Sequence, residues 1–360
     1  MTAALDYPVS FDLVPHAPRT VIIGYGFAGR SFHAYLVGLA QPNLVLHGIA
    51  SRDAATRERI YAERNCRAYK SLEEVLADAE VDLVVVATPS SAHADIAVAA
   101  LNAGKHVVTD KVMCLNLAEC DRMLNAARRN RRLLTVFQNR RLDGDFCTVQ
   151  SAMRNGELGA VRWLEMAWQG FGAWGGWRGK AEMGGGRFYD LGAHLIDQLL
   201  VLFPEPIEHV YCRMHHDYPA SDIESEALLV VTFAGGRTGV CDLSGQTHVS
   251  KPRFLAKGDR ATLVKYGLDP QENAMKAGDI DAAVEDPANY ATLKDRDGER
   301  KLPTIAGRWR GYYENIADAL TGKAEPLVQP AEMRRVMRVF DAAWESARTG
   351  KTVPFSPNTD

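Results

Sequence analysis

The stretch Val21-Ile22-Ile23-Gly24-Tyr25-Gly26-Phe27-Ala28-Gly29 decides the fold of the first part of this chain. It joins an apolar strand to a Gly-x-Gly-x-x-Gly turn. Gly24 allows a tight strand-to-helix turn, Gly26 lets the backbone approach a pyrophosphate, and Gly29 lets the following helix pack closely on the strand. The motif predicts a dinucleotide site whose first contacts are the six residues of the turn: Gly24, Tyr25, Gly26, Phe27, Ala28 and Gly29.

The pattern after this turn supports the same prediction. Apolar runs alternate with helix-like segments, and we predict strands near 20–24, 44–50, 82–87, 106–109 and 133–138. Such alternation is typical of right-handed βαβ units that form a parallel sheet. The first part of the chain is therefore predicted to be an α/β Rossmann domain.

From about residue 139 the pattern changes to longer alternating strands, at 162–169, 226–233 and 238–243, with one helix after His194. This pattern favours an α+β domain with a large, mostly antiparallel open sheet. A chain of 360 residues is also long for a single core. We predict three parts: an N-terminal arm at 1–18, a dinucleotide-binding Rossmann domain at 19–138, and an α+β substrate-binding and oligomerisation domain at 139–360.

Composition limits the class of partner. The formal net charge of −3 argues against a general nucleic-acid binder, and no apolar run approaches the roughly 18 residues that a membrane helix needs. The first 20 residues lack the basic start and apolar centre of a secretory signal. The six cysteines form no Cys-x-x-Cys pair and have no histidine at ligand spacing, so we expect a reduced, cytoplasmic protein without a metal site.

The end of the second predicted strand indicates which nucleotide is bound. An acidic residue at this point usually holds the ribose 2′-hydroxyl of NAD. Here the strand ends in Ser51-Arg52, and Asp53 follows. A hydroxyl and a guanidinium suit a 2′-phosphate, which predicts NADP. In the alternative, Ser51 caps the next helix, Asp53 points at the ribose and NAD is the cofactor.

A further buried-type strand, at 84–87, ends in Thr88-Pro89. Ligands of open α/β sheets bind at the carboxyl ends of the strands. Thr88, Pro89 and the nearby His93 are therefore predicted to flank the nicotinamide half of the cofactor. His93 is equally well explained as an ordinary polar residue near the start of a helix.

Several segments together resemble the glucose-fructose oxidoreductase / inositol dehydrogenase (Gfo/Idh/MocA) family, over almost the whole chain. They are the glycine turn, Ala87-Thr88-Pro89-Ser90-Ser91-Ala92-His93, Ala103-Gly104-Lys105-His106-Val107, Asn139-Arg140-Arg141 and Gly185-Gly186-Arg187-Phe188-Tyr189-Asp190-Leu191-Gly192-Ala193-His194. Two more, Phe32-His33 and Lys265-Tyr266-Gly267-Leu268-Asp269-Pro270-Gln271-Glu272, resemble its NADP-dependent scyllo-inositol dehydrogenase branch.

The resemblance implies a reaction and three catalytic residues. Family members exchange a hydride between the nicotinamide and a carbinol or ketone carbon of a sugar or polyol, and they use a lysine with an aspartate and a histidine four residues apart. Lys111, Asp190 and His194 match that pattern. His194 can take the hydroxyl proton, Asp190 can orient the imidazole, and Lys111 can hydrogen-bond the reacting oxygen. Which of His194 and Lys111 is the base stays open.

One segment departs from the family pattern. Where the family has Glu-Lys-Pro, this chain has Asp110-Lys111-Val112. The proline constraint is lost and the carboxylate is one methylene shorter. The resemblance also assigns Asp110, Lys111 and Asn139 to the cofactor site, so the departure puts the rate or the substrate in question.

An aromatic, glycine-rich loop precedes the catalytic segment. Trp168, Phe171, Trp174 and Trp177 can pack on the apolar face of a sugar or cyclitol ring, or they can fill a core. Substrate contacts are predicted from Trp177 through its aromatic face and from Arg140, Arg178 and Tyr189 through their polar groups. The resemblance further implies a homodimer or homotetramer.

Two other functions fit the same residues. A nucleotide-binding sensor or co-repressor would keep the fold without turnover, and a reductase of a non-sugar carbonyl or imine would keep the cofactor but change the substrate. Retention of Lys111, Asp190 and His194 favours the dehydrogenase. The altered segment around Lys111 favours one of the other two.

Overall fold

The computed structural model describes residues 11–355, in which the chain forms two compact units. The first contains residues 11–138 together with Trp309–Met337. The second contains Asn139–Arg308 and residues 338–355. The predicted arm at 1–18 lies partly outside the described residues, since these begin at residue 11.

Strands and helices alternate along the first unit. They are β1 (Arg19–Ile23), α1 (Ala34–Leu39), β2 (Val45–Ala50), α2 (Ala54–Arg64), β3 (Arg67–Tyr69), α3 (Leu72–Ala77), β4 (Leu83–Val86), α4 (His93–Asn102), β5 (His106–Thr109), α5 (Leu117–Asn130) and β6 (Leu134–Val136). Within residues 11–355 the six strands form one parallel sheet in the order β3-β2-β1-β4-β5-β6. The five predicted strands are confirmed, and β3 is an addition.

The order of strands fixes where a ligand can enter this sheet. The chain builds outward from β1 to β3 on one side and from β4 to β6 on the other. The sheet therefore has a topological switch point between β1 and β4, and a crevice opens there beyond the carboxyl ends of the strands. The glycine turn follows β1, and Ala87-Thr88-Pro89 follows β4.

The second unit is dominated by a larger sheet. Its elements up to residue 308 are α6 (Gly144–Arg154), β7 (Val161–Gln169), α7 (Arg187–Asp190), α8 (Gly192–Leu202), β8 (Ile207–His215), β9 (Glu226–Phe233), β10 (Arg237–Ser244), β11 (Phe254–Gly258), β12 (Thr262–Lys265), α9 (Gln271–Lys276), β13 (Ala291–Lys294) and β14 (Glu299–Leu302). Two helices and a short strand complete the chain: α10 (Arg310–Leu320), α11 (Pro330–Thr349) and β15 (Val353–Pro354).

The strands of the second unit lie in the order β14-β13-β12-β11-β7-β10-β9-β8-β15. β7 and β10 run parallel, and the other neighbours are antiparallel. Alternate residues of β9 are buried, as expected for a sheet with one covered face. α8 lies so close to β10 that a Cβ on Gly239 would come within 2.3 Å of Leu199 Cδ1. The predicted fold class is confirmed.

The segment Trp309–Met337 belongs to the first unit although it follows the second along the chain. Tyr312 and Tyr313 of α10 are fully buried there, and the Tyr312 hydroxyl donates a 2.7 Å hydrogen bond to the Val136 carbonyl of β6. Residues 11–18 also join this unit, since Val14 is buried and its N–H bonds to Leu320 at 2.8 Å.

Candidate active site

The three motif glycines have different surroundings. Gly24 has φ +102°, and a Cβ there would lie 2.5 Å from the Ala87 carbonyl oxygen. A Cβ on Gly29 would lie 2.1 Å from the Gly24 carbonyl oxygen. A Cβ on Gly26 would meet no atom within 4 Å. Packing of the turn therefore requires Gly24 and Gly29, whereas Gly26 borders open space of the kind that a pyrophosphate would fill.

The side chains between these glycines also differ. Tyr25 is buried, and its hydroxyl donates to Glu63 Oε2 at 2.8 Å and accepts from Arg64 Nε at 3.2 Å. Burial raises the pKa of Tyr25, which keeps the hydroxyl protonated. Phe27 is half exposed, and Ala28 begins a helical turn that runs to His33 and into α1. The side chain of Tyr25 thus ties the turn to α2.

At the end of β2, Asp53 rather than Ser51 caps α2. Its Oδ2 accepts the Thr56 N–H at 2.7 Å, so the alternative in which Ser51 is the cap is wrong. An aspartate accepts such a bond at least as well as a serine and stands at the position directly before α2. The Arg57 guanidinium donates to the carbonyls of Ser51 and Arg52 at 2.9 and 2.8 Å. The side chain of Arg52 is exposed beside them.

At the end of β4, His93 holds two loops together. Its Nδ1 lies 2.8 Å from the Val112 carbonyl oxygen and its Nε2 lies 2.9 Å from the Thr88 carbonyl oxygen. Burial lowers the pKa of this imidazole, so it is neutral and donates to one carbonyl at a time. His93 therefore joins the Thr88-Pro89 turn to the segment that carries Lys111, and its ring nitrogens are occupied by protein carbonyls.

Asp110 and Lys111 follow β5. The Asp110 N–H donates to the Val86 carbonyl at 2.8 Å, and Asp110 Oδ1 accepts the Lys111 N–H at 2.8 Å. Burial alone would raise the pKa of Asp110, but the facing imidazole of His33 and the charge of Lys111 outweigh it, and the pKa is about 2. Asp110 is therefore ionised at neutral pH. The Lys111-Val112 peptide is cis.

In the second unit, Asp190 and His194 lie on consecutive helices. Asp190 ends α7, Leu191 separates the two, and His194 lies in the first turn of α8. The predicted spacing on helical backbone is present, with a break at Leu191. No side chain caps α8.

A residue that the sequence did not reveal fixes the start of α7. Buried Glu224 accepts the Phe188 N–H at 2.5 Å through Oε1. Gly186 has φ +103°, and a Cβ there would lie 2.6 Å from both Glu224 carboxylate oxygens. This contact explains why a glycine precedes the α7 helix. Glu224 lies 34 positions after Asp190 and carries no local motif.

Asp190 and His194 have different neighbours. Arg178 Nε donates to Asp190 Oδ2 at 3.2 Å. The buried ring of His194 stacks on Trp168, with centroids 6.1 Å apart and planes inclined by 26°. Arg140 Cζ lies 4.5 Å from the centroid of the same indole. The Trp168 ring therefore contacts both His194 and Arg140.

The Asn139-Arg140-Arg141 segment is held by carboxylates. Arg140 pairs with Glu272 at 2.9 Å and with Asp143 at 3.3 Å. Arg141 makes two hydrogen bonds to Asp197, at 2.8 and 2.7 Å. Asn139 is buried. The Arg140 partner Glu272 belongs to the second segment that resembles the scyllo-inositol dehydrogenase branch.

Three aromatic side chains of the loop are partly exposed. Trp174 and Trp177 are half-buried, and each has an arginine over its ring: Arg187 at 4.4 Å for Trp174 and Arg178 at 4.7 Å for Trp177. Phe171 is 61% exposed. Tyr189 differs from these, since its ring stacks on Phe340 and packs against Trp344, both 5.4 Å away.

Two features bear on partners. Among the helices within residues 11–355, none has the length and apolar character to cross a membrane. His47, Asp78 and Glu80 of the first unit lie close enough to share a cation, but Arg67 already pairs with Asp78 at 2.7 Å.

Comparison with known proteins assigns the family. The model of the "Oxidoreductase family, NAD-binding Rossmann fold" matches residues 18–138, and that of the "Oxidoreductase family, C-terminal alpha/beta domain" matches residues 150–355. The chain belongs to the Gfo/Idh/MocA oxidoreductase family. The predicted family, fold class and oxidoreductase class are confirmed, and the Rossmann family supports a nicotinamide cofactor.

Individual relatives cover nearly the whole chain. An uncharacterized oxidoreductase of Schizosaccharomyces pombe is 31% identical and covers 94% of this chain and 99% of its own. The NADP(+) scyllo-inositol 2-dehydrogenase of Bacillus subtilis is 29% identical, with 92% and 94% covered. The crystal structure of an oxidoreductase from Klebsiella pneumoniae is 32% identical, with a TM-score of 0.85 and coverage of 96% and 97%.

Proposed function

We propose that this protein is an NADP(H)-dependent dehydrogenase that exchanges a hydride between the nicotinamide and a carbinol or ketone carbon of a sugar, a cyclitol or a related polyol. The observation that carries the proposal is the retention of Lys111, Asp190 and His194 on backbone that buried groups hold in place. Asp110 binds the Lys111 N–H, and Glu224 binds the first turn of the helix that ends in Asp190.

A nicotinamide would supply the hydride acceptor or donor in this scheme. The residues that would hold the dinucleotide are those of the glycine turn, the strand ends and the lysine segment: Gly24, Tyr25, Gly26, Phe27, Ala28, Gly29, Ser51, Arg52, Thr88, Pro89, Asp110, Lys111 and Asn139. The open space at Gly26 supports this assignment. His93 would support the cofactor site indirectly, because its Nε2 contacts the Thr88 carbonyl oxygen.

The preference for NADP is supported by the end of β2. Asp53 Oδ2 is engaged by the helix that it caps, and the exposed Arg52 guanidinium at this strand end can serve as a charged donor for a 2′-phosphate. Arg57 bonds to the Ser51 and Arg52 carbonyls and so stiffens this edge. NAD is the alternative.

The proton chemistry belongs to the chain's own residues. His194 or Lys111 takes the hydroxyl proton when the carbonyl forms, and the other donates a hydrogen bond to the reacting oxygen. The His194 ring stacks on Trp168. Arg178 pairs with Asp190, so that carboxylate is held by a fixed donor.

The charges of the second unit favour a neutral substrate. Arg140, Arg141 and Arg178 each pair with a carboxylate of the same unit, at Glu272, Asp197 and Asp190. An anionic substrate would have to compete with those carboxylates, whereas hydroxyl groups can share their donors. The half-buried Trp177 offers an apolar face to a ring. Tyr189 is a further candidate contact.

We place the protein in the cytoplasm as a homodimer or homotetramer. All six cysteines are free thiols, as suits a reducing compartment. On β9, Leu228 is 38% exposed on the face opposite to buried Ala227 and Leu229, which supports association through the open face of the large sheet. Light scattering coupled to size exclusion measures the oligomer.

The deciding experiment is a screen of cyclitols, aldoses and their keto forms with NADP and NAD, following the absorbance of the reduced nicotinamide. Turnover of a polyol with NADP supports the proposal. Tight nucleotide binding without turnover would favour a sensor, for which the Asp110-Lys111-Val112 departure is the specific evidence. Turnover of only non-sugar carbonyls or imines would change the substrate class.

A further inference from the structure

His33, which follows the glycine turn, is completely buried between two polar side chains of the first unit. Its Nδ1 lies 2.7 Å from the Tyr313 hydroxyl of α10. Its Nε2 lies 3.6 Å from Asp110 Oδ2, an ion-pair distance that is too long for a formed hydrogen bond. A buried imidazole nitrogen aimed at a carboxylate needs an explanation.

Asp110 uses its two carboxylate oxygens differently. Oδ1 accepts the backbone N–H of Lys111 at 2.8 Å, and Oδ2 faces His33. The Asp110 carboxylate therefore stands between the histidine and the backbone of the candidate catalytic lysine. Any rotation of the carboxylate about its side-chain torsion would move the contact with Lys111.

The positions of the hydrogens on the Tyr313 hydroxyl and the His33 imidazole follow from the groups around them. The Tyr313 hydroxyl stays protonated because burial raises its pKa well above the ordinary value. If that hydroxyl donates to Nδ1, then Nδ1 carries no hydrogen, and the imidazole hydrogen is on Nε2 and points at Asp110. The opposite tautomer would set an imidazole lone pair against an ionised carboxylate, which is repulsive.

The packing around His33 keeps water away from His33 and Tyr313, both of which are completely buried. The Phe137 ring centroid lies 4.5 Å from that of His33 and 5.8 Å from that of Tyr313. Electrostatic interactions are stronger in such surroundings than in water. The other charged or titratable groups near the Asp110 carboxylate are Lys111 and the neutral His93.

We propose that Tyr313 and His33 are positioning residues for Lys111: Tyr313 selects the Nε2–H tautomer of His33, and His33 orients the Asp110 carboxylate that binds the Lys111 backbone. The kinetic part of this inference rests on the proposed function. The part that concerns the tautomer does not.

The chain offers a matched pair of variants. Tyr313→Phe removes the hydroxyl that faces His33, whereas Tyr312→Phe removes the neighbouring buried hydroxyl, which bonds to the Val136 carbonyl instead. Both variants lose one buried hydrogen bond in the same helix. A purely structural role would therefore give similar effects in both.

The first measurement is nitrogen-15 NMR of the imidazoles in the cofactor-free protein, with the His33 signals assigned by their loss in His33→Gln. We expect the Nε2–H tautomer in the wild type and in Tyr312→Phe, and a larger fraction of the Nδ1–H tautomer in Tyr313→Phe, where only the contact with Asp110 still favours Nε2–H. A wild-type His33 with its hydrogen on Nδ1 would overturn the inference.

The second measurement compares kcat, KM and the Kd for NADP across the variants. Since a displacement of about 1 Å can cost on the order of a hundredfold in rate, we expect Tyr313→Phe to lower kcat at least about tenfold while the Kd for NADP stays near the wild-type value. Equal losses of kcat in the two tyrosine variants would refute the positioning role. If the wild type turned over no polyol, the proposed function would fail, and the NMR result would still decide the tautomer.

Discussion

Arg178 Nε donates a 3.2 Å hydrogen bond to Asp190 Oδ2, which joins the aromatic loop to the candidate catalytic carboxylate. The Arg178 side chain is 32% exposed and that of Asp190 is 14% exposed. The pair is therefore partly shielded from solvent. It supplies one reason why a loop rich in glycine keeps a defined position beside α7.

We expect Arg178→Ala to lower kcat on the order of tenfold, because the Asp190 carboxylate loses a charge-assisted hydrogen bond. Arg178→Lys should keep most of the activity. Arg237→Ala is the matched control, since Arg237 is equally exposed and pairs with Glu205. Steady-state kinetics on the best substrate of the screen measure the effect, and a similar loss in the control would show that it is not specific to Asp190.

Lys111→Met and His194→Ala should each abolish reduction of the cofactor, with little change in the Kd for NADP in His194→Ala and a much smaller loss of affinity than of turnover in Lys111→Met, since Lys111 is one of many proposed contacts of the dinucleotide. Both substitutions remove a group that handles the proton or the reacting oxygen. Nucleotide binding is measured by fluorescence titration and turnover by absorbance. Parallel loss of binding and turnover would instead assign both residues a structural role.

Arg52→Ala should weaken NADP by about tenfold or more and leave NAD nearly unchanged, since a charge-assisted bond contributes about 1.5–3 kcal/mol. Because the Arg52 side chain is exposed, its removal should leave the fold intact, and a change in affinity then reports on nucleotide binding. Calorimetric titration with each nucleotide gives the two affinities. An equal effect on NAD and NADP would remove Arg52 from the 2′-phosphate site.

The parts of the molecule that the sequence predicts are those decided by neighbouring residues. The glycine turn is one example, because its packing needs are met within six positions and at Ala87. Buried strands such as β4, with four buried residues in a row, are another. The cap of α2 is a counter-example, because the alternative named Ser51, whereas Asp53 stands directly before the helix and caps it.

Other parts depend on residues far apart in sequence. The strand β3 has three residues, of which only Tyr69 is buried, so it lacks an apolar pattern of its own. Arg140 and Glu272 are 132 positions apart, and His33 and Tyr313 are 280 apart. A charge or a hydroxyl does not reveal its partner locally, because the fold alone brings the two together.

Substitutions of Gly29 and Gly26 should separate an effect on the stability of the fold from an effect on nucleotide binding. Gly29→Ala should lower Tm, because its Cβ would lie 2.1 Å from the Gly24 carbonyl oxygen. Gly26→Ala should leave Tm near the wild-type value and weaken NADP, since its Cβ would enter the open space beside the turn. Differential scanning calorimetry with and without NADP measures both effects. If Gly26→Ala bound NADP with unchanged affinity, the pyrophosphate would not lie beside Gly26.

The ionised state of Asp110 makes a prediction about acid stability. Its pKa is about 2 in the folded protein against an ordinary value of 3.8, so the carboxylate contributes stability that is complete above about pH 4 and is lost as the pH falls through about 2. The difference in pKa corresponds to about 2 kcal/mol.

Asp110→Asn keeps the oxygen that accepts the Lys111 N–H but cannot titrate. The free energy of unfolding of the wild type, from urea denaturation, should therefore fall by about 2 kcal/mol more than that of the variant between about pH 5 and pH 2. Parallel curves for the two proteins would mean that Asp110 titrates at its ordinary pKa. The contacts with His33 and Lys111 would then not lower that pKa.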